Sequence, residues 1–134
     1  MHHAINLSSS ETRTLSRPTM PAVLLRLEGL AVFAGSIALY AHISGDWLPF
    51  VLLLFAPDAA MLGYLLNPRI GAALYNAAHF YGLPLALGLA ALPGGWLPGV
   101  ALALIWTAHI GMDRVIGYGL KYASGFKDTH LGRV

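Results

Sequence analysis

Of 134 residues, 57% are apolar and only 10% are charged, with a mean hydropathy of +0.64. That is too little charge to cover a water-soluble globule of this size. The absence of cysteine excludes disulfides, thiolate metal sites, iron–sulfur clusters and a cysteine nucleophile. A net charge of +2, from eight Lys and Arg spread along the chain, forms no stripe that could track phosphates and argues against nucleic acid as a partner.

Residues 1–20 are polar and rich in Ser and Thr, lack the apolar core of a signal peptide, and read as a flexible cytoplasmic arm. Four apolar stretches follow, at about 23–43, 47–67, 70–92 and 96–118. Each is close to the ~20 residues that carry a helix across ~30 Å of hydrocarbon. The turns between them, His42–Asp46, Asn67–Arg69 and Pro93–Gly95, are short and rich in breakers. Short turns make consecutive helices antiparallel neighbours, so residues 21–134 are expected to form an all-α, up-down-up-down four-helix transmembrane bundle. Residues 119–134 then form a C-terminal interfacial tail.

Every Lys and Arg falls on the side shared by the N-terminus, the second turn and the C-terminus, which places both termini in the cytoplasm. Trp47 and Trp96 begin the second and fourth stretches at the opposite face, while Tyr64, Tyr75, Tyr118 and Tyr122 lie towards the cytoplasmic one, as aromatic belts do.

Ionisable residues inside such stretches cost roughly 2.5 to 3.5 kcal/mol each on insertion scales, so each asks for a partner. Counted from the cytoplasmic helix ends, Asp58, His79 and His109 share a depth of ~14 Å, and Glu28, Asn76 and Asp113 form a second layer at ~8 Å. His109 and Asp113, at i and i+4, share a helix face, as do Asn76 and His79 at i and i+3. Arg26 and Glu28 point in nearly opposite directions, so with Glu28 inward Arg26 snorkels to the headgroups. Pro57 bends the second helix beside Asp58 and strips the Leu53 carbonyl of its helical donor. Glu28, Ala31, Gly35 and Ala38 form a small-residue stripe suited to close packing of the first helix.

With Arg26 and Arg114 counted, the intramembrane set carries a net negative charge that invites a cation: protons on carboxylates, a His-bound metal, or Arg114 folded inward. Histidines with carboxylates suit one divalent ion, Zn, Mn or Fe. A bis-His haem between His79 and His109 is disfavoured by the adjacent carboxylates. The tail from Gly117 to Gly132 reads either as an anchor, with Lys and Tyr at the headgroups, or as a flap that brings Asp128, Thr129 or His130 towards the polar layer.

Several of these segments also carry a family likeness: Leu25-Arg26-Leu27-Glu28-Gly29, Ala56-Pro57-Asp58, Leu62-Gly63-Tyr64 and Tyr75-Asn76-Ala77-Ala78-His79. The most specific run extends from His109-Ile110-Gly111-Met112-Asp113-Arg114 through Gly117-Tyr118-Gly119-Leu120-Lys121-Tyr122 to Gly125-Phe126-Lys127-Asp128-Thr129-His130-Leu131-Gly132. Over roughly residues 24 to 132 the chain resembles a family of small bacterial membrane proteins known as domain of unknown function 4260. The resemblance implies a four-helix bacterial membrane protein, hence an inner-membrane location, and supplies no substrate, cofactor or mechanism.

The residues themselves suggest a membrane-embedded enzyme in which Asp58, His79, His109 and Asp113 bind a divalent metal or share protons. Glu28 is then the general base, Asn76 and Arg114 orient or neutralise a lipid-like or small substrate, and His130 assists from the tail. A proton-coupled transporter or channel subunit is the second reading, and a bundle whose buried polar network only fixes helix register is the third. The lipid bilayer is the expected partner, with a homodimer through the glycine and alanine faces as a further expectation.

Overall fold

The computed structural model describes residues 17–122 and 127–133; most of the expected N-terminal arm lies outside the described residues. Among the described residues the secondary structure is helical, with one isolated bridge between Lys121 and Thr129. In order come α1 (Met20–Ile43), α2 (Trp47–Leu53), a 3-10 segment (Ala56–Leu65), α3 (Pro68–Ala78), α4 (Gly82–Ala91), α5 (Leu97–Ile116) and the short α6 (His130–Arg133).

Capping residues set the starts. Thr19 accepts the Ala22 N–H at 3.4 Å, Asp46 accepts that of Leu48 at 3.3 Å, and Asn67 accepts that of Ile70 at 2.8 Å. Pro21, Pro68 and Pro98 occupy first-turn positions of α1, α3 and α5, where a missing N–H costs nothing. Helix α5 stops at Gly117, whose φ of 107° is a left-handed cap open to glycine.

Two of the four expected continuous helices are interrupted. The second, 47–67, is α-helical only to Leu53 and then runs as the 3-10 segment. Pro57 is the cause: it has no N–H for an acceptor one turn earlier, and the Asp58 N–H turns to Phe55 O at 3.1 Å. The third, 70–92, divides into α3 and α4 at His79–Tyr81. A continuous helix would set the Pro84 ring against the Phe80 carbonyl, so the chain breaks and restarts at Gly82 with Pro84 in the new first turn. Consequently α1, the stretch Trp47–Leu65 and α5 are long and apolar enough to cross a membrane, whereas α4 is apolar but about half that length. Leu52, Leu62, Leu65, Leu85 and Leu89 are all more than half exposed, an apolar exterior suited to lipid contact.

Helices α1 and α5 make the closest pairing. A Cβ on Gly29 would meet Gly111 O at 2.9 Å, and one on Gly111 would meet Gly29 O and Phe33 N at 2.8 Å, so the two backbones touch there. The buried face of α1 is Ala22, Gly29, Ser36 and Tyr40. The expected stripe of Glu28, Ala31, Gly35 and Ala38 lies beside this face and is exposed. Further along, Tyr40, Phe50, Ile105 and Ala108 form the apolar core, and the Tyr40 hydroxyl donates to Asp46 O at 2.6 Å.

Candidate metal centre

Asp58, His79, His109 and Asp113 come together between the 3-10 segment, the end of α3 and the middle of α5. The imidazole Nε2 atoms of His79 and His109 are 3.0 Å apart. Asp58 Oδ1 lies 3.3 Å from each of them. Asp113 Oδ2 lies 3.5 Å from His79 Nε2 and 3.4 Å from His109 Nε2. All four atoms are within 4.8 Å of one another. Ligands held ~2.05 Å from a central ion in a tetrahedron are separated by ~3.3 Å, which is the middle of the five distances above. A haem plane has no room between nitrogens 3.0 Å apart.

The ring protons decide what this cluster presents. His79 Nδ1 is 2.8 Å from Tyr75 O, and a carbonyl can only accept, so Nδ1 carries the proton and Nε2 offers a lone pair inward. The Tyr75 carbonyl is free to accept because the His79 N–H has turned to Asn76 O at the helix end. His109 Nδ1 is buried with no hydrogen-bond partner among the described residues, and the Leu54 backbone lies close enough to act on this imidazole. Pro57 has no N–H for the Leu53 carbonyl, and the Asp58 N–H, which would serve Leu54 in an α-helix, has gone to Phe55. With the His79 N–H directed at Tyr75 O, its Nε2 lone pair, His109 Nε2 and one oxygen from each carboxylate converge on one point. His79 and His109 are fully buried, the Asp113 side chain is 8% exposed and that of Asp58 is 37% exposed, so the cluster is reached over Asp58.

Tyr75 braces three sides of this arrangement. Its ring stacks on His79 at 3.7 Å and 9°, its carbonyl holds His79 Nδ1, and its hydroxyl lies within the electrostatic reach of Asp113. Lys121 from the tail lies with Nζ 4.6 Å from the Tyr75 ring centroid, within the attraction of Asp113 and Asp58. Burial pushes its ammonium below the ordinary lysine value against that attraction. Trp106 donates from Nε1 to Ala78 O at 2.6 Å and so fills a carbonyl that the α3–α4 break leaves open. None of these three entered the expected site. The i, i+4 spacing of Tyr75 and His79 and the i, i+3 spacing of Trp106 and His109 are the signals that could have found two of them.

The other expected site residues are placed elsewhere. Glu28 is exposed and lines a cavity of about 360 Å³ with Tyr81 and Arg114; it is not among the four residues that converge. Its helix is turned so that Gly29 meets α5, which directs the neighbouring side chain sideways. Asn76 clamps the tail: Nδ2 donates to Lys121 O at 2.7 Å and Oδ1 accepts the Lys121 N–H at 2.6 Å. Arg114 is buried but bonds carbonyls, His79 O at 3.0 Å and Tyr118 O at 2.9 Å, and makes no ion pair with Asp113 or Asp58 among the described residues. His130 takes the Leu120 N–H on Nδ1 at 2.7 Å, Thr129 caps α6 at Gly132 N, and Asp128 pairs with Arg133. The tail therefore folds back onto α3, and the group it brings towards the cluster is Lys121 instead of Asp128, Thr129 or His130.

With the geometry in place, comparison with known proteins adds one match. The family model described as Domain of unknown function (DUF4260) matches residues 22–134. The chain belongs to the DUF4260 family. The match takes in every residue of the cluster and the docked tail, and the family's description assigns no activity. No curated protein and no solved structure matches the chain.

Proposed function

We propose that this DUF4260 protein is a metal-dependent, membrane-embedded enzyme acting on a lipid-like or small substrate, with one divalent ion held by Asp58, His79, His109 and Asp113. The observation that carries this reading is the convergence of four possible ligand atoms at near-tetrahedral separations, with the His79 ring held by Tyr75 O so that its Nε2 lone pair faces inward. Four such atoms, 3.0 to 3.5 Å apart in five of their six pairs, repel one another unless a proton or a metal cation lies between them, and two carboxylates match a charge of +2. The mixed nitrogen and oxygen donor set and the ligand separations suit Zn first, then Mn or Fe. Such an ion polarises a carbonyl or activates a water at the Asp58 side, where the cluster is open. Supported by the basic residues on one side of the apolar stretches, the bundle sits in a bacterial inner membrane with both termini cytoplasmic.

Elemental mass spectrometry of the detergent-purified protein tests the centre. About one Zn, Mn or Fe per chain is expected, lost in His79→Ala, His109→Ala and Asp113→Asn. A folded, helical wild-type protein free of metal after growth with these ions refutes it. The second reading, a proton-holding cluster for coupled transport, is supported by the 3.0 Å contact between imidazoles, which one shared proton would also bridge. It predicts no metal and a protonation change when Asp58 is replaced by Asn.

A further inference from the structure

Three polar side chains from three parts of the fold meet at one small cavity. Glu28 comes from α1, Arg114 from the last turn of α5, and Tyr81 from the break between α3 and α4. The space measures about 360 Å³, within the ~300 to 1,000 Å³ of ordinary small-molecule sites, and Leu25, Ala31 and Val32 line the rest of its wall. Tyr81 is within electrostatic reach of both Arg114 and Glu28. None of Asp58, His79, His109 and Asp113 lines this cavity.

The two charges at the cavity lack charged partners in the protein. Arg114 is only 7% exposed, yet its hydrogen bonds go to neutral carbonyls, His79 O and Tyr118 O, and no carboxylate pairs with it among the described residues. A guanidinium carries more N–H donors than these two bonds use. A buried cation among apolar helices is costly until an anion reaches it. Glu28 is exposed and makes neither a hydrogen bond nor an ion pair among the described residues. A ligand that satisfies both therefore brings an anion to Arg114 and a cation to Glu28.

The level of the cavity narrows the ligand further. A Cβ on Gly29 would meet Arg114 Cβ, and one on Gly117 would meet Arg26 Nη2 at 2.7 Å, so α1 and α5 run antiparallel with the start of α1 at the end of α5. The Arg114 guanidinium reaches Tyr118 O, one residue beyond the Gly117 cap, at the end of the bundle where the basic residues place the headgroups. The Cα–Cβ bond of Glu28 leans towards the N-terminus of α1, the same end. Arg26 is not part of the wall and lies against Gly117, at the negative end of the α5 dipole, so one cation and one anion remain for the ligand. A phosphodiester suits a guanidinium and a phenol, both donors, and a primary ammonium suits a carboxylate.

We propose that this cavity binds a phosphoethanolamine group, with the phosphate on Arg114 and Tyr81 and the ammonium on Glu28. The site is independent of the metal-centre reading. The same group is carried by phosphatidylethanolamine in the bilayer and by soluble phosphoethanolamine esters, and the test separates the two sources.

Native mass spectrometry of the detergent-purified, full-length protein is titrated with the dioleoyl forms of phosphatidylethanolamine, phosphatidylcholine and phosphatidylglycerol. Phosphatidylethanolamine is expected to bind about tenfold more tightly than the other two, the ratio that one charge-assisted hydrogen bond gives: choline has no N–H for Glu28, and glycerol has no cation. Glu28→Gln, at an exposed position, should bring the three affinities together, and Glu28→Lys should turn the order towards phosphatidylglycerol. Arg114→Gln should lose all three lipids; if it does not fold, the Glu28 variants carry the test alone. Glycerophosphoethanolamine that displaces the lipid at equal concentration assigns the site to a soluble ester. Displacement only above about a hundredfold excess, as expected of a ligand without acyl chains to bury, assigns it to the bilayer lipid, and either result supports the group bound. Equal affinities for the three lipids in the wild type, or a preference for phosphatidylethanolamine that survives Glu28→Gln, overturn the proposal whether or not the protein contains metal.

Discussion

Replacing Asn76 by Ala tests whether the tail is held to the bundle by one side chain. Asn76 meets both backbone groups of Lys121, at 2.6 and 2.7 Å, and Lys121 is only 6% exposed. The substitution leaves a buried N–H and a buried C=O without partners, each costing ~1 to 3 kcal/mol. Asn76 is half-buried, so water reaches part of the vacated space and the lower end applies, about 2 kcal/mol in total. Opening of the tail should then be about 30-fold more frequent. Hydrogen exchange at the amides of Tyr122 and His130 reads this directly. They retain their own acceptors, Asp128 O and Leu120 O, and lose protection only if the whole turn comes away. An isolated turn of this size is not stable by itself in water. Protection within about threefold of wild type at both amides would show that Asn76 does not hold the tail, and Lys121 would lose its structural reason for lying over Tyr75.

Tyr75→Phe keeps the stack on His79 and removes the hydroxyl beside Asp113; metal affinity measured by chelator competition should fall ~10- to 100-fold, and an unchanged affinity would deny that hydroxyl a role. Tail docking should weaken in acid. Burial, with a contribution from the Arg114 charge, holds His130 below the ordinary imidazole value, and Nδ1 must be unprotonated to accept the Leu120 N–H. The released tail binds the proton more readily than the docked one, so docking is full above about pH 6.5 and declines as pH falls below it. Exchange at the Leu120 amide that is flat or slower in acid, after correction for intrinsic rates, contradicts this. Gly111→Ala places a methyl 2.8 Å from Gly29 O and Phe33 N, so the α1–α5 crossing should open and stability fall by ~1 to 3 kcal/mol in thermal or denaturant unfolding.

How much of this was legible follows from what a sequence encodes. Apolar length and turn residues located the helical stretches, and insertion cost drew attention to Asp58, His79, His109 and Asp113 together with Arg26, Glu28, Asn76 and Arg114, without separating the two sets. Depth along a helix is readable from residue counting, but direction around it depends on the neighbour. Glu28, Asn76 and Asp113 share a depth, yet Asp113 joins the histidines, Asn76 faces the tail and Glu28 opens to a side cavity. The packing face of α1 was misread for the same reason: two glycines in contact, Gly29 and Gly111, set its rotation, and one helix read alone does not reveal which of its small residues has a partner. The division at His79 had a signal in Gly82 and Pro84, outweighed by the unbroken hydropathy of 70–92.

Those interruptions connect fold to chemistry. In hydrocarbon a backbone carbonyl without a donor costs several kcal/mol, so each break in a helix needs a replacement partner. At the end of α3 the replacements are His79 Nδ1 for Tyr75 O, Trp106 for Ala78 O and Arg114 for His79 O. The same bonds that satisfy the broken backbone fix which nitrogen of His79 bears its proton and leave its lone pair facing the carboxylates. A straight third helix would return Tyr75 O to a backbone donor and free the His79 N–H to turn inward, where it would bond Asp58 or Asp113 directly. Pro84 thus acts through the helix break it imposes: it converts a histidine that could have been a hydrogen-bond donor into an inward-facing acceptor.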